Sequence, residues 1–113
     1  MEAEEKLTAE LRRGVLQIAS LALMRRRTYG YQLLKDLAAH GFETEEGTLY
    51  PILRRLEGQE LVRSLWDTAG QRPRKYYEIT PTGENVLATL LTAFRGIARS
   101  LDGILDQGEA HGS

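Results

Sequence analysis

Two groups of residues carry the polar chemistry of this chain. One is Gly47, Thr48, Tyr50, Pro51 and Arg54, inside the stretch TEEGTLYPILRRLEGQELV from Thr44 to Val62; the other is Gly70-Gln71-Arg72-Pro73-Arg74-Lys75. The first brings hydroxyls and a guanidinium to one end of an amphipathic segment. The second sets three cations on a Gly- and Pro-containing loop. Hydroxyl, guanidinium and ammonium groups of this kind hydrogen-bond phosphate oxygens and base edges. Catalysis needs a different grouping, of nucleophile, base and acid, and no such constellation is found. His40 falls near a helix end and His111 in the tail, with nothing clustered about either, so no enzyme, metal site or cofactor is expected. The absence of cysteine removes thiolate chemistry and disulfides together.

The elements that would position these groups can be read from periodicity. Leu49, Ile52, Leu53 and Leu56 recur at i, i+3, i+4 and i+7, the buried stripe of a helix whose polar residues lie largely off that stripe. Pro51 has no N–H, so it belongs near the first turn and the helix starts near Thr44–Thr48. Thr48 and Tyr50 are then at the N-terminal end, from which a recognition helix reaches base edges. Upstream, Thr28 can cap a helix from Tyr29 to about His40, with Leu33, Leu34, Leu37 and Ala38 inward and Gly41 as its stop. The short link Phe42-Glu43 makes the pair a helix-turn-helix. Tyr29 and Tyr31 point in different directions, one toward the core and one toward a DNA backbone, and spacing does not say which.

An earlier helix starts near Leu7 or Thr8. Its faces are Leu11, Val15, Ile18 and Ala22, and beside them Leu16, Ala19 and Leu23; Arg25, Arg26 and Arg27 follow as a cationic C-cap. After Gly58 the pattern changes to a strand over Leu61–Trp66, a loop over Asp67–Pro73 and a strand over Arg74–Ile79. Val62, Tyr77 and Ile79 face inward and Trp66 packs at the base of this hairpin. A basic hairpin directly after a recognition helix is a wing, whose cations suit a phosphate chain.

Thr80-Pro81 is a strong helix start. Downstream, Leu87, Leu90, Phe94, Ile97, Leu101 and Ile104 follow steps of 3, 4, 3, 4 and 3, with Leu91, Ala98 and Leu105 alongside. That is the seam of a coiled coil on a helix longer than a small domain can cover, so a homodimer is expected. The fold class is mainly α with a small β-hairpin: a winged helix-turn-helix over residues 7–79 and a C-terminal dimerisation helix over 80–105. Residues 1–6 and 106–113 are expected to be flexible.

The net charge of −1 conceals segregation: between Leu11 and Lys35 stand six basic residues and no acid, whereas Glu2, Glu4, Glu5 and Glu10 make the amino end acidic. No signal peptide or long apolar run is present, so a cytoplasmic protein without membrane contact is expected.

Several motifs in this order resemble the PadR family of bacterial transcriptional regulators, short type. Tyr29-Gly30-Tyr31-Gln32-Leu33 resembles the family's HGYEL-like second helix. Gly47-Thr48-Leu49-Tyr50-Pro51-Ile52-Leu53-Arg54-Arg55-Leu56-Glu57 is similar to its GTLYPxLxRLE signature. Leu61–Trp66 and Arg72–Gly83 resemble its wing and exit. The resemblance implies a repressor that binds a pseudo-palindromic operator in double-stranded DNA as a homodimer. On it, Gly47, Thr48, Tyr50 and Pro51 sit at the groove, Arg54 and the second-helix tyrosines, Tyr31 among them, approach the backbone, and Arg72, Arg74 and Lys75 serve the wing. Leu87, Leu90, Leu91, Phe94, Ile97, Leu101 and Ile104 form the dimer. The family also implies a small-molecule effector that releases DNA, although the last helix has Phe94 and no tryptophan to sandwich one. The rival is a winged-helix protein–protein interaction module.

Overall fold

The computed structural model describes residues 1–112, with side chains through Gly108. Its elements run α1 (Glu2–Leu23), β1 (Thr28–Tyr29), α2 (Gly30–Ala39), α3 (Glu46–Gly58), β2 (Val62–Asp67), β3 (Arg74–Ile79) and α4 (Pro81–Gly112). The architecture is the expected mainly α one with a small sheet, and the sheet has one strand more than expected, antiparallel in the order β1-β3-β2. Thr28 is therefore not the cap of α2: it pairs with Tyr77, and Tyr29 pairs with Tyr76. The carbonyl of Met24, just past α1, accepts the Ile79 N–H at 2.9 Å and carries the same edge back to the first helix.

Helix extends into both terminal segments that were expected to be flexible. α1 starts at Glu2, upstream of Leu7, and Glu2, Glu4 and Glu5 in its first turn complement the positive pole of the helix dipole. α4 continues past Leu105 to Gly112, since no proline follows Pro81 and each glycine weakens a helix by only about 1 kcal/mol. Ser113 and the side chain of His111 lie outside the described residues.

Each junction has a local cause. The Thr80 hydroxyl accepts the Gly83 N–H at 3.0 Å, with Pro81 at the first helical position of α4. α2 ends on Gly41 at φ 87°, where the Gly41 N–H reaches Ala38 O and the Phe42 N–H reaches Leu37 O. α3 ends in the same way on Glu60, at φ 62°: the Glu60 N–H reaches Glu57 O and the Leu61 N–H reaches Leu56 O. This is the left-handed C-cap, which glycine usually occupies. Pro51 sits in the second turn of α3, not the first, and leaves only the Gly47 carbonyl without its helical partner.

The core lies where α1, α2, α3 and the sheet converge. Leu49, Ile52, Leu53 and Leu56 are all buried, as their spacing requires, together with Leu33, Leu37, Val62 and Tyr77. α1 is turned relative to the expected stripe. Leu16, Ser20, Leu21 and Met24 face inward, whereas Leu11 is 68% exposed, because the first half of α1 lies outside the core and meets the rest of the domain at its rim, where Arg12 donates to the Gly41 carbonyl at 2.9 Å. The arginines after α1 lie beyond its last turn; Arg25 pairs with Glu84 at 3.1 Å and Arg27 with Glu78 at 3.4 Å, so ion pairs rather than capping account for both. Two further expectations are corrected. Trp66 is 64% exposed instead of packing at the hairpin base, and Leu87 is buried in its own domain's core, so its side chain has no surface to offer a second chain.

Candidate nucleic-acid interface

The interface is built from the start of α2, the exposed side of α3 and strand β3. Gly30 opens α2, and a Cβ there would collide with the Tyr50 hydroxyl and lie 2.9 Å from its ring, so glycine is what lets the two helices close on each other. Tyr50 is held half-buried in that gap. Burial first, then the nearby Glu46 and Tyr77, raises its pKa, which keeps its hydroxyl neutral and able to donate. Tyr77, below it on β3, is raised by burial and by Glu57, with Arg54 acting in the opposite sense.

Tyr29, at the end of β1, and Tyr31, in the first turn of α2, now separate. Tyr31 is 61% exposed and carries the Lys35 ammonium 5.4 Å from its ring centre. Tyr29 is half-buried, packs edge-on against Tyr76 at 5.6 Å, and has the Arg74 guanidinium 5.2 Å above its ring. Tyr29, Gly30, Tyr31, Tyr50, Arg74, Lys75 and Tyr77 line one open cleft of about 450 Å³. Among the described residues no side chain caps the α2 N-terminus at its edge. Aromatic hydroxyls, two cations and uncapped amide N–H groups make this cleft a receiver for an anionic oxygen.

Of the residues singled out from sequence, the structure brings Tyr31, Tyr50, Arg74 and Lys75 to this cleft. Gly47, Thr48, Pro51 and Arg54 lie exposed along α3, whose stripe is sunk in the core. Arg72 stands apart at the wing tip, near Asp67, Gly70, Gln71, Arg74 and Tyr76. Sequence reasoning missed Lys35 and left Tyr29 undecided. The i, i+4 spacing of Tyr31 and Lys35 was the available signal for the first; nothing local signals the second, because strand β1, which orients Tyr29, exists only through its pairing with β3.

On the sheet's other face Arg27 and Arg63 converge on Glu78, at 3.4 and 2.7 Å. The hydrogen bond from Arg63 is the chief reason the Glu78 carboxyl titrates below its ordinary value.

Residues 20–89 match the family model described as the transcriptional regulator PadR-like family. The chain belongs to that family. A PadR family transcriptional regulator from Eggerthella lenta shares 39% identity and a TM-score of 0.84, over 92% of this chain and 89% of that one. A PadR-like transcription factor from Bacteroides fragilis shares 29% identity at a TM-score of 0.74, over 88% and 98%. The transcriptional regulator Rv3488 of Mycobacterium tuberculosis is 35% identical over 83 residues, 74% of each chain. The helices, sheet and long last helix described above are thus those of a PadR winged-helix protein, and the tyrosine-lined cleft lies within the matched span.

Proposed function

We propose that this PadR-family chain is a cytoplasmic, site-specific DNA-binding repressor that occupies a pseudo-palindromic operator as a homodimer. Residues 7–79 bind DNA and 80–105 join the two copies. Thr48, Pro51 and the backbone at Gly47 enter the major groove at the start of α3, and Arg54, Tyr31 and Tyr50 meet the phosphates beside it. Arg72, Arg74 and Lys75 extend that contact along the wing.

The observation that carries this reading is the single cleft in which β1, α2, α3 and β3 present four tyrosines and two cations. It adjoins the exposed polar side of a helix whose apolar side is fully used. A surface for apolar protein contact would not concentrate hydroxyls and cations in this way.

The dimer follows from a second surface. On α4, Phe94, Ile97, Leu101, Ile104 and Leu105 are between 42 and 63% exposed, and on α1 Leu7 and Leu11 are exposed as well. These rows run on from the part-buried Leu90 and Leu91, which pack on the chain's own core. A contiguous apolar strip of this length needs cover in water. A small molecule seated near the joined helices releases the DNA, with Phe94 the one aromatic side chain that α4 offers it.

Fluorescence anisotropy tests the reading with two labelled duplexes, one carrying the stretch upstream of this protein's own gene and one scrambled, each at two salt concentrations. Tight, salt-sensitive binding to the first and weak binding to the second is expected. Equal weak binding to both would remove site specificity.

A further inference from the structure

The recognition helix and the wing are joined by one carboxylate. Glu57 stands in the last turn of α3, where Oε2 accepts the Ser64 hydroxyl of β2 and Oε1 faces the Lys75 ammonium of β3 at 3.9 Å. Both partners lie on the sheet face turned toward α3, since the register sets Ser64 opposite Tyr77 and Trp66 opposite Lys75. The Lys75 ammonium also lies 5.5 Å from the Tyr77 ring centre. Arg72, by contrast, has no ion pair or aromatic partner among the described residues. The wing cations are therefore unequal: Arg72 is free, whereas Lys75 is drawn back toward the helix by an anion.

We propose that Glu57 is a specificity-determining positioning residue: it ties both wing strands to the recognition helix and withholds the Lys75 charge from indiscriminate phosphate contact. The inference rests on the DNA-binding reading and adds to it a cause for discrimination. At the operator the groove contacts of α3 dock the wing and bring Lys75 onto a phosphate despite Glu57, whereas bulk DNA lacks those contacts and leaves Lys75 with its carboxylate, so Glu57 lowers affinity for bulk DNA more than for the operator. Glu57 touches no DNA in this account. It acts through Lys75 and through the angle between α3 and the hairpin.

Glu57→Gln keeps the shape and the acceptor for Ser64 but removes the charge. With Lys75 released, binding to the scrambled duplex gains about one phosphate contact, adding about 0.9 to the steepness of the log–log salt dependence. The gain then falls by about 3.5-fold between 50 and 200 mM salt, and the ratio of operator to scrambled affinity drops. In a Lys75→Gln background the same substitution leaves the salt dependence unchanged, because the residue it acts through is gone.

An equal rise with and without Lys75 would overturn the proposal, since Glu57 would then act on phosphates directly. A second comparison does not depend on Glu57→Gln folding. In the otherwise unaltered protein, Lys75→Gln should weaken scrambled-duplex binding less than Arg72→Gln does, and equal losses would overturn the proposal too. If the unaltered protein bound neither duplex, the DNA reading itself would fall and this inference with it. Binding with unchanged selectivity in the variants removes the inference alone.

Discussion

Tyr50 joins packing and contact in one side chain, because its ring closes the gap over Gly30 while its edge lines the open cleft. Tyr50→Ala should therefore cost about 2 kcal/mol of stability, the usual scale for truncating a packed ring at a half-buried site, and operator binding falls with it. Tyr50→Phe should leave the melting temperature nearly unchanged and weaken operator binding by about tenfold, the worth of one charge-assisted hydrogen bond. Thermal melts beside anisotropy separate the two, and equal operator affinity in Tyr50→Phe would remove the hydroxyl from the interface. Ser20 offers a contrast in the core. It is fully buried in α1 and its hydroxyl has no hydrogen-bond partner among the described residues, so Ser20→Ala should raise stability by about 1 kcal/mol in a denaturant titration. The polar chemistry of Thr48, Tyr50 and Arg54 was legible in sequence because it lies on one short helix. The separate fates of Tyr29 and Tyr31 were not, since a tertiary pairing decides them.

Glu60 and Gly83 show how the elements of the fold are joined. Glu60 stands at the left-handed C-cap of α3 with only its backbone in use there: its N–H reaches Glu57 and its carbonyl accepts the Thr80 hydroxyl at 2.7 Å. Glu60→Gly should raise stability by about 1 kcal/mol, the penalty a side chain meets at this φ. Gly83 has the opposite sign. A Cβ there would strike the Leu61 carbonyl and the Ile79 side chain, so Gly83→Ala should lower the melting temperature sharply by prising α4 from the sheet. The ion pairs of the sheet also respond to acid. Because Arg63 and Arg27 hold the Glu78 carboxyl low, the folded chain binds that proton more weakly than the unfolded one. The contribution is present above about pH 4.5 and is lost as the pH falls through the depressed value. Melting curves from pH 6 down to pH 3 should show a fall that is shallower in Glu78→Gln. Among the elements, the α3 stripe, the Thr80-Pro81 start and the hairpin strands were all readable, since each is fixed by local spacing or capping. The two-residue β1 was hidden because a strand that short has no period of its own. The rotation of α1 was hidden because two apolar faces compete and only packing chooses between them.

At the scale of the molecule, the expected dimer makes the outer half of α4 the part to disturb. Ile97→Glu with Leu101→Glu should give monomers by sedimentation, with operator affinity lowered at least a hundredfold and the melting curve of the winged domain little changed. A variant that stays dimeric would move the interface elsewhere. Leu90 and Leu87 make poor choices, since both pack on the chain's own core and a charge there would damage the fold. The sequence predicts a seam but does not say where along it self-packing ends, because an a/d repeat looks the same whichever chain covers it. α4 also gives the subunit its outline, 66 by 34 by 22 Å, three times longer than it is thin. A body of that aspect ratio drags and tumbles more slowly than a sphere of its 12.7 kDa. A single subunit should therefore elute from a sizing column ahead of spherical standards of its mass, and its fluorescence anisotropy should decay with more than one rotational correlation time.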